Sequence, residues 1–137
     1  VIWVVGEERG RSDGQPGPGD SSARLASLCG VTQEQFLKAV AWINLFDHPG
    51  TDPVRYVRMV EKAAEPFDAI VMLGKRVQAA FLLDHLNPLE SVERNGGIGP
   101  MLLALPHPSG RNRWYNDPDH VADASIVMRR VWGSRSR

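Results

Sequence analysis

Apolar residues follow two rhythms along this chain. Short apolar runs stand at Val1 to Val5, at Ala41 to Phe46 with Asn44 as one interior polar residue, at Phe67 to Leu73 with Asp68 near its start, and in MLLALP from Met101. Their lengths and β-branched content predict buried strands. Between them, apolar residues return at helical spacing. Leu25 and Leu28 follow Asp20, Ser21 and Ser22, any of which can cap a helix that Gly30 stops. TQEQ from Thr32 is a capping box opening a second helix, with Phe36, Leu37 and Val40 as its apolar face. Asp52 and Pro53 read as N-cap and first residue of a helix carrying Val54, Val57 and Val60 to about Ala64. KRVQAAFLLD, after Gly74, predicts a helix burying Val77, Ala80 and Phe81. Asp117 and Pro118 repeat the cap signal before a last helix whose inner face is Val121, Ala124, Ser125, Met128, Val131 and Trp132. EERGRSDGQPGPGD and residues 87–100 read as loops, and residues 133–137 as a frayed tail.

Strands alternating with helices predict an α/β fold, a three-layer αβα domain over residues 1–137 with a central, mainly parallel four-stranded sheet. Ligands of such sheets bind beyond the carboxyl ends of the strands. Polar residues gather at those ends in the sequence: Glu7 and Glu8 after the first run, Asn44 and Asp47 around the second, His107 and Ser109 after the last.

Composition narrows the classes. At 137 residues, 42% hydrophobic and 23% charged, the chain can bury a core. Sixteen Lys and Arg balance sixteen Asp and Glu, so no global positive field draws in nucleic acid, and any such contact rests on local clusters. A single cysteine, Cys29, excludes an internal disulfide, an all-cysteine zinc site and a cysteine-ligated cluster within one chain. No apolar run approaches the ~20 residues that span a bilayer, so no membrane contact is expected and the chain reads as cytoplasmic. Asp47, His48 and Asp52 in FDHPGTD read as a turn and helix cap rather than metal ligands, and no metal or cofactor is expected. Arg129, Arg130, Arg135 and Arg137 read as a solvated face, Trp114 and Tyr115 as packing lids for the loop before them.

The rim residues form a chemically coherent set. Glu7 can position a water or stabilise a cation, Asn44 can offer a donor and an acceptor to a planar amide, and His107 can donate to a developing oxyanion. Such a set suits hydrolysis of a bond whose leaving group is a heterocyclic anion.

LPHPSGRNR, Leu105 to Arg113, resembles the second motif of the uracil-DNA glycosylase superfamily, and VVGEERG resembles its first motif in the GE-x-PG form. WINLF is similar to the strand whose asparagine reads the base, and FDAIVMLGKRVQAAF to the strand and helix that precede the second motif. The resemblance implies a monomeric enzyme, free of metal and cofactor, that flips uracil or another altered pyrimidine out of single- or double-stranded DNA and hydrolyses its N-glycosidic bond. It implies that Glu7 holds the water, that Asn44 and Gly6 contact the base, and that His107 stabilises the leaving oxyanion. Ser109 and Gly110 would grip a phosphate, and Arg111, with Arg113, would enter or follow the DNA.

The departures are specific. Arg9 replaces the motif's proline, and no aromatic stands between Gly6 and Leu25 to stack on a flipped base, which leaves Trp42 or Phe46 as substitutes. Two further classes therefore stay open: a non-excising nucleic-acid or modified-base binder on the same fold, and a hydrolase or transferase acting on free nucleosides or nucleotides.

Overall fold

The apolar runs do become strands. The computed structural model describes residues 1–7, 19–46, 50, 52–109 and 112–134. In chain order these form β1 (Ile2–Gly6), α1 (Gly19–Cys29), α2 (Gln33–Ala39), β2 (Val40–Asn44), α3 (Pro53–Ala63), β3 (Ala69–Leu73), α4 (Lys75–Ala80), β4 (Ser91–Glu93), β5 (Met101–Leu105) and α5 (Pro118–Ser134). Short 3₁₀ turns lie at Asn95–Gly97 and Arg113–Asn116. The sheet order is β2-β1-β3-β5-β4. The first four of these strands are parallel, and β4 pairs antiparallel with β5 at the edge.

Helices cover both faces, giving the three layers. Along β3, Ala69, Val71 and Leu73 face the side packed by Leu25, Phe36 and Met128 of α1, α2 and α5. Ile70 and Met72 face Val57, Val60 and Val77 of α3 and α4. Each of these side chains is buried, and full burial of a Val, Leu, Ile, Phe or Met contributes about 1.5–3 kcal/mol. Cys29 lies in the first of these cores, where burial pushes its thiol up to about 11 although Arg129 pulls the other way.

The sheet has five strands rather than the expected four. The additional strand, β4, lies within residues 87–100; three residues with two exposed side chains carry no apolar run to announce an edge strand. β3 begins at Ala69, leaving Phe67 90% exposed, because the Asp68 carboxylate accepts from Glu65 N–H and the Trp3 indole and turns the chain there. β2 starts and stops earlier than its apolar run, since the Val40 N–H still caps α2 through the Phe36 carbonyl. The Thr32 capping box and the Asp52–Pro53 start form as expected. In α1, however, Asp20, Ser21 and Ser22 all lie inside the helix, and buried Ser22 accepts from Gln33 instead of capping. Leu37 and Val121 are exposed rather than core-facing. α4 ends at Ala80, four residues short of the helical pattern, with Leu82 at φ 61°. Residues 133–134 continue α5 rather than fray, and residues 135–137 lie outside the described set.

Candidate functional site

Because β1, β3 and β5 are parallel, their carboxyl ends reach one edge of the sheet together. Glu7 is the first residue past β1. The ladder continues there: Leu45 N–H donates to the Gly6 carbonyl at 2.9 Å and Phe46 N–H to the Glu7 carbonyl at 2.8 Å, fixing the backbone under the carboxylate. β3 passes into α4 through Gly74, whose N–H donates to the Leu105 carbonyl at 2.9 Å. β5 passes into Pro106, His107 and Pro108.

Glu7 and His107 meet over Gly74. A Cβ at that glycine would lie 3.4 Å from His107 Cβ and 3.7 Å from Glu7 Oε1, and its φ of +93° is one that side-chain-bearing residues rarely adopt. A carboxylate and an imidazole from two strand ends thus both border the glycine. They open on a cleft of about 400 Å³ walled also by Lys75, Arg76 and Gln78 of α4, by Pro88, and by Asn112 and Trp114. That volume lies within the usual range for small-ligand sites, about 300–1,000 Å³.

The imidazole is oriented by its own loop. Ser109 N–H donates to His107 Nδ1 at 3.2 Å. A backbone amide only donates, so Nδ1 is the acceptor and the ring proton sits on Nε2. His107 therefore offers an N–H donor from its far nitrogen. The Ser109 amide is engaged in this bond. Asn112 staples the loop, its Nδ2 donating to the His107 carbonyl at 2.8 Å and its Oδ1 accepting from Trp114 N–H at 3.0 Å. The Tyr115 hydroxyl donates to the Pro106 carbonyl at 2.6 Å, beneath the Arg24 guanidinium 4.6 Å from its ring. Burial pushes the Tyr115 phenol above its usual range, although Arg24 pulls the other way.

The other expected residues divide. Asn44 is buried as a strand asparagine should be, at 8% exposure, and its Oδ1 lies 3.2 Å from where a Gly6 Cβ would stand. It is not a wall of the cleft, and Oδ1 accepts from the Trp42 indole at 2.9 Å. Trp42 packs against the first core and Phe46 against the second, with the Arg76 guanidinium 3.9 Å above the Phe46 ring, so neither offers its face to the cleft. The ring that does line it is Trp114, stacked on His120 at 4.5 Å between centroids. Trp114 is thus a cleft wall as well as a packing lid. Arg113 is exposed in the 3₁₀ turn. Gly110, Arg111, Glu8, Arg9, Gly17, Pro18, Asp47 and His48 lie outside the described residues.

Sequence reasoning missed Asn112, Gly74 as the meeting point, and the α4 wall. The signal for Asn112 was present: an asparagine two residues before a tryptophan can close an Asx turn onto its backbone. Among the described residues no three His, Cys, Asp or Glu side chains gather to hold a metal, and no described helix is long and apolar enough to cross a membrane. Compared with known proteins, the chain matches no protein-family model and no curated protein sequence.

Proposed function

We propose that the cleft is the base-excision site of a DNA glycosylase acting on uracil or another altered pyrimidine. The observation that carries this reading is that Glu7 and His107 both border Gly74 in one cleft, with His107 Nδ1 bound to Ser109 N–H so that Nε2–H is the donor. As the N-glycosidic bond breaks, its electron pair moves onto the leaving base. An N–H donor aimed at the oxygen where that charge collects favours the transition state over the ground state. Glu7 holds the water that attacks the sugar carbon and favours the positive charge developing there; hydroxide adds to carbon, and the water's other proton finishes on the base. Extrusion of the base costs a few kcal/mol. Exposed Arg76 in the cleft wall, and exposed Arg113 between the wall residues Asn112 and Trp114, offset part of this through phosphate contacts.

The test is cleavage of single- and double-stranded oligonucleotides carrying one uracil, read as abasic sites after alkali. Strand scission at the uracil is expected. No product from any altered pyrimidine, where a known glycosylase works, overturns the enzyme reading. The position of Asn44 outside the cleft walls favours a second reading, a protein that binds nucleic acid without excision. Steeply salt-dependent DNA binding with no abasic product would select it.

A further inference from the structure

The search for what reads the ligand leads to α4. Gln78 is only 3% exposed, yet it is one of the cleft walls. Its Nε2 donates to the Leu83 and Leu86 carbonyls, each at 3.1 Å. Both partners are obligate acceptors, so the orientation of the amide follows from the network, and both of its hydrogens are used within the fold. Among the described residues nothing donates to Gln78 Oε1. What Gln78 can present to the cleft is an acceptor held in one orientation. Its anchoring role is partly duplicated: Lys75 Nζ also donates to the Leu86 carbonyl, at 2.6 Å, and to that of Asp84, at 3.0 Å. The amide oxygen has no such duplicate.

We infer that Gln78 is a specificity-determining residue whose Oε1 accepts a hydrogen bond from a ring or exocyclic N–H of a planar heterocycle bound in the cleft. Trp114, whose ring stacks on His120, is an apolar wall of the same cleft against which such a ring can lie. With His107 Nε2–H as donor and Gln78 Oε1 as acceptor, the cleft matches a heterocycle that carries both a carbonyl and an N–H, as an imide does. The identity of that heterocycle rests on the base-excision reading; the need for an N–H does not.

The experiment compares binding of uridine and 3-methyluridine, in which a methyl replaces the imide hydrogen, by NMR titration of the intact chain. Wild type is expected to bind uridine at least tenfold more tightly, because a buried acceptor left unpaired by the methylated ligand is costly. Gln78→Met is expected to bring the ratio to near one by weakening uridine alone. A merely structural role for Gln78 would weaken both ligands together. Gln78→Lys, which keeps a donor for the two carbonyls and loses the acceptor, should behave as the methionine variant does. Equal affinities in wild type, or no binding of either nucleoside, overturn the inference, and this readout stands even if both variants fail to fold. Discrimination by wild type without any abasic product would keep Gln78 as reader and discard the glycosylase reading instead.

Discussion

Two segments wall the cleft: residues 106–109 with 112–117, through His107, Asn112 and Trp114, and residues 81–90, through Pro88. The first segment is held mostly from within. Ser109 reaches His107, Asn112 reaches His107 and Trp114, and Tyr115 reaches Pro106, none of them more than nine residues apart. The second is held mostly from outside: Lys75, Gln78 and Arg94 send long side chains to the carbonyls of Phe81, Leu83, Asp84 and Leu86. It also carries Leu82 at φ 61° and Leu89 at φ 68°, conformations that cost a leucine on the order of 1–3 kcal/mol. The external bonds are what make that backbone tolerable. A loop that orders itself can carry the reacting imidazole with its orientation built in, whereas a loop ordered by α4 brings the side chains of α4 to the cleft.

The comparison can be broken most severely where the two segments meet. Gly74→Ala forces φ +93° on a side-chain-bearing residue and sets a methyl 3.4 Å from His107 Cβ. A loss of about 2–3 kcal/mol is expected from the backbone conformation alone, read as a lower urea midpoint. Wild-type stability would remove Gly74 from the account.

Arg94→Ala tests the externally held segment. Arg94 pairs with half-buried Glu61 at 3.1 Å and donates to the Phe81 carbonyl. Burial holds the Glu61 carboxyl above its ordinary 4.5, opposed by Arg94. The folded protein therefore binds this proton more tightly than the unfolded chain, so the Glu61 contribution to stability falls as pH rises through and above that value. Without Arg94 the folded-state carboxyl rises further. The variant should lose about 1–2 kcal/mol near pH 7, allowing for partial solvent screening, and distinctly less at pH 4. A penalty independent of pH would contradict the assignment.

Asn112→Ala removes two side-chain hydrogen bonds from the self-held segment, for about 1–2 kcal/mol. Amide exchange should quicken at Trp114 while residues 83–86 keep their protection, and Arg94→Ala should show the reverse pattern. Loosening of both segments by either substitution would mean that they are one unit.

The same difference explains what could be read from the chain. Signals closed within a few residues were legible: the Thr32–Gln35 box, the Asp52–Pro53 start, and the apolar runs that became four parallel strands. So were Glu7 and His107, because in a parallel sheet the residue after a strand falls on the ligand-binding edge. The end of α4 was not, since FLLD continues its apolar pattern and only the distant reach of Arg94 and the turn at Leu82 set the stop. Nor was the ring of the cleft: Trp42 and Phe46 lay near the expected motif, but Asn44 and Arg76 occupy them, and Trp114 lines the cleft. Gln78 carried no signal in the sequence, because its two carbonyl partners lie in a segment whose path the sequence does not announce.

The most direct test of the account is the single-turnover rate of base release by His107→Ala on a uracil-containing oligonucleotide, measured beside wild type. If the Nε2–H donor stabilises the leaving base, the rate falls by about 10²–10³-fold, with DNA binding retained. A wild-type rate in that variant would take His107 out of the chemistry and the base-excision reading of the cleft with it.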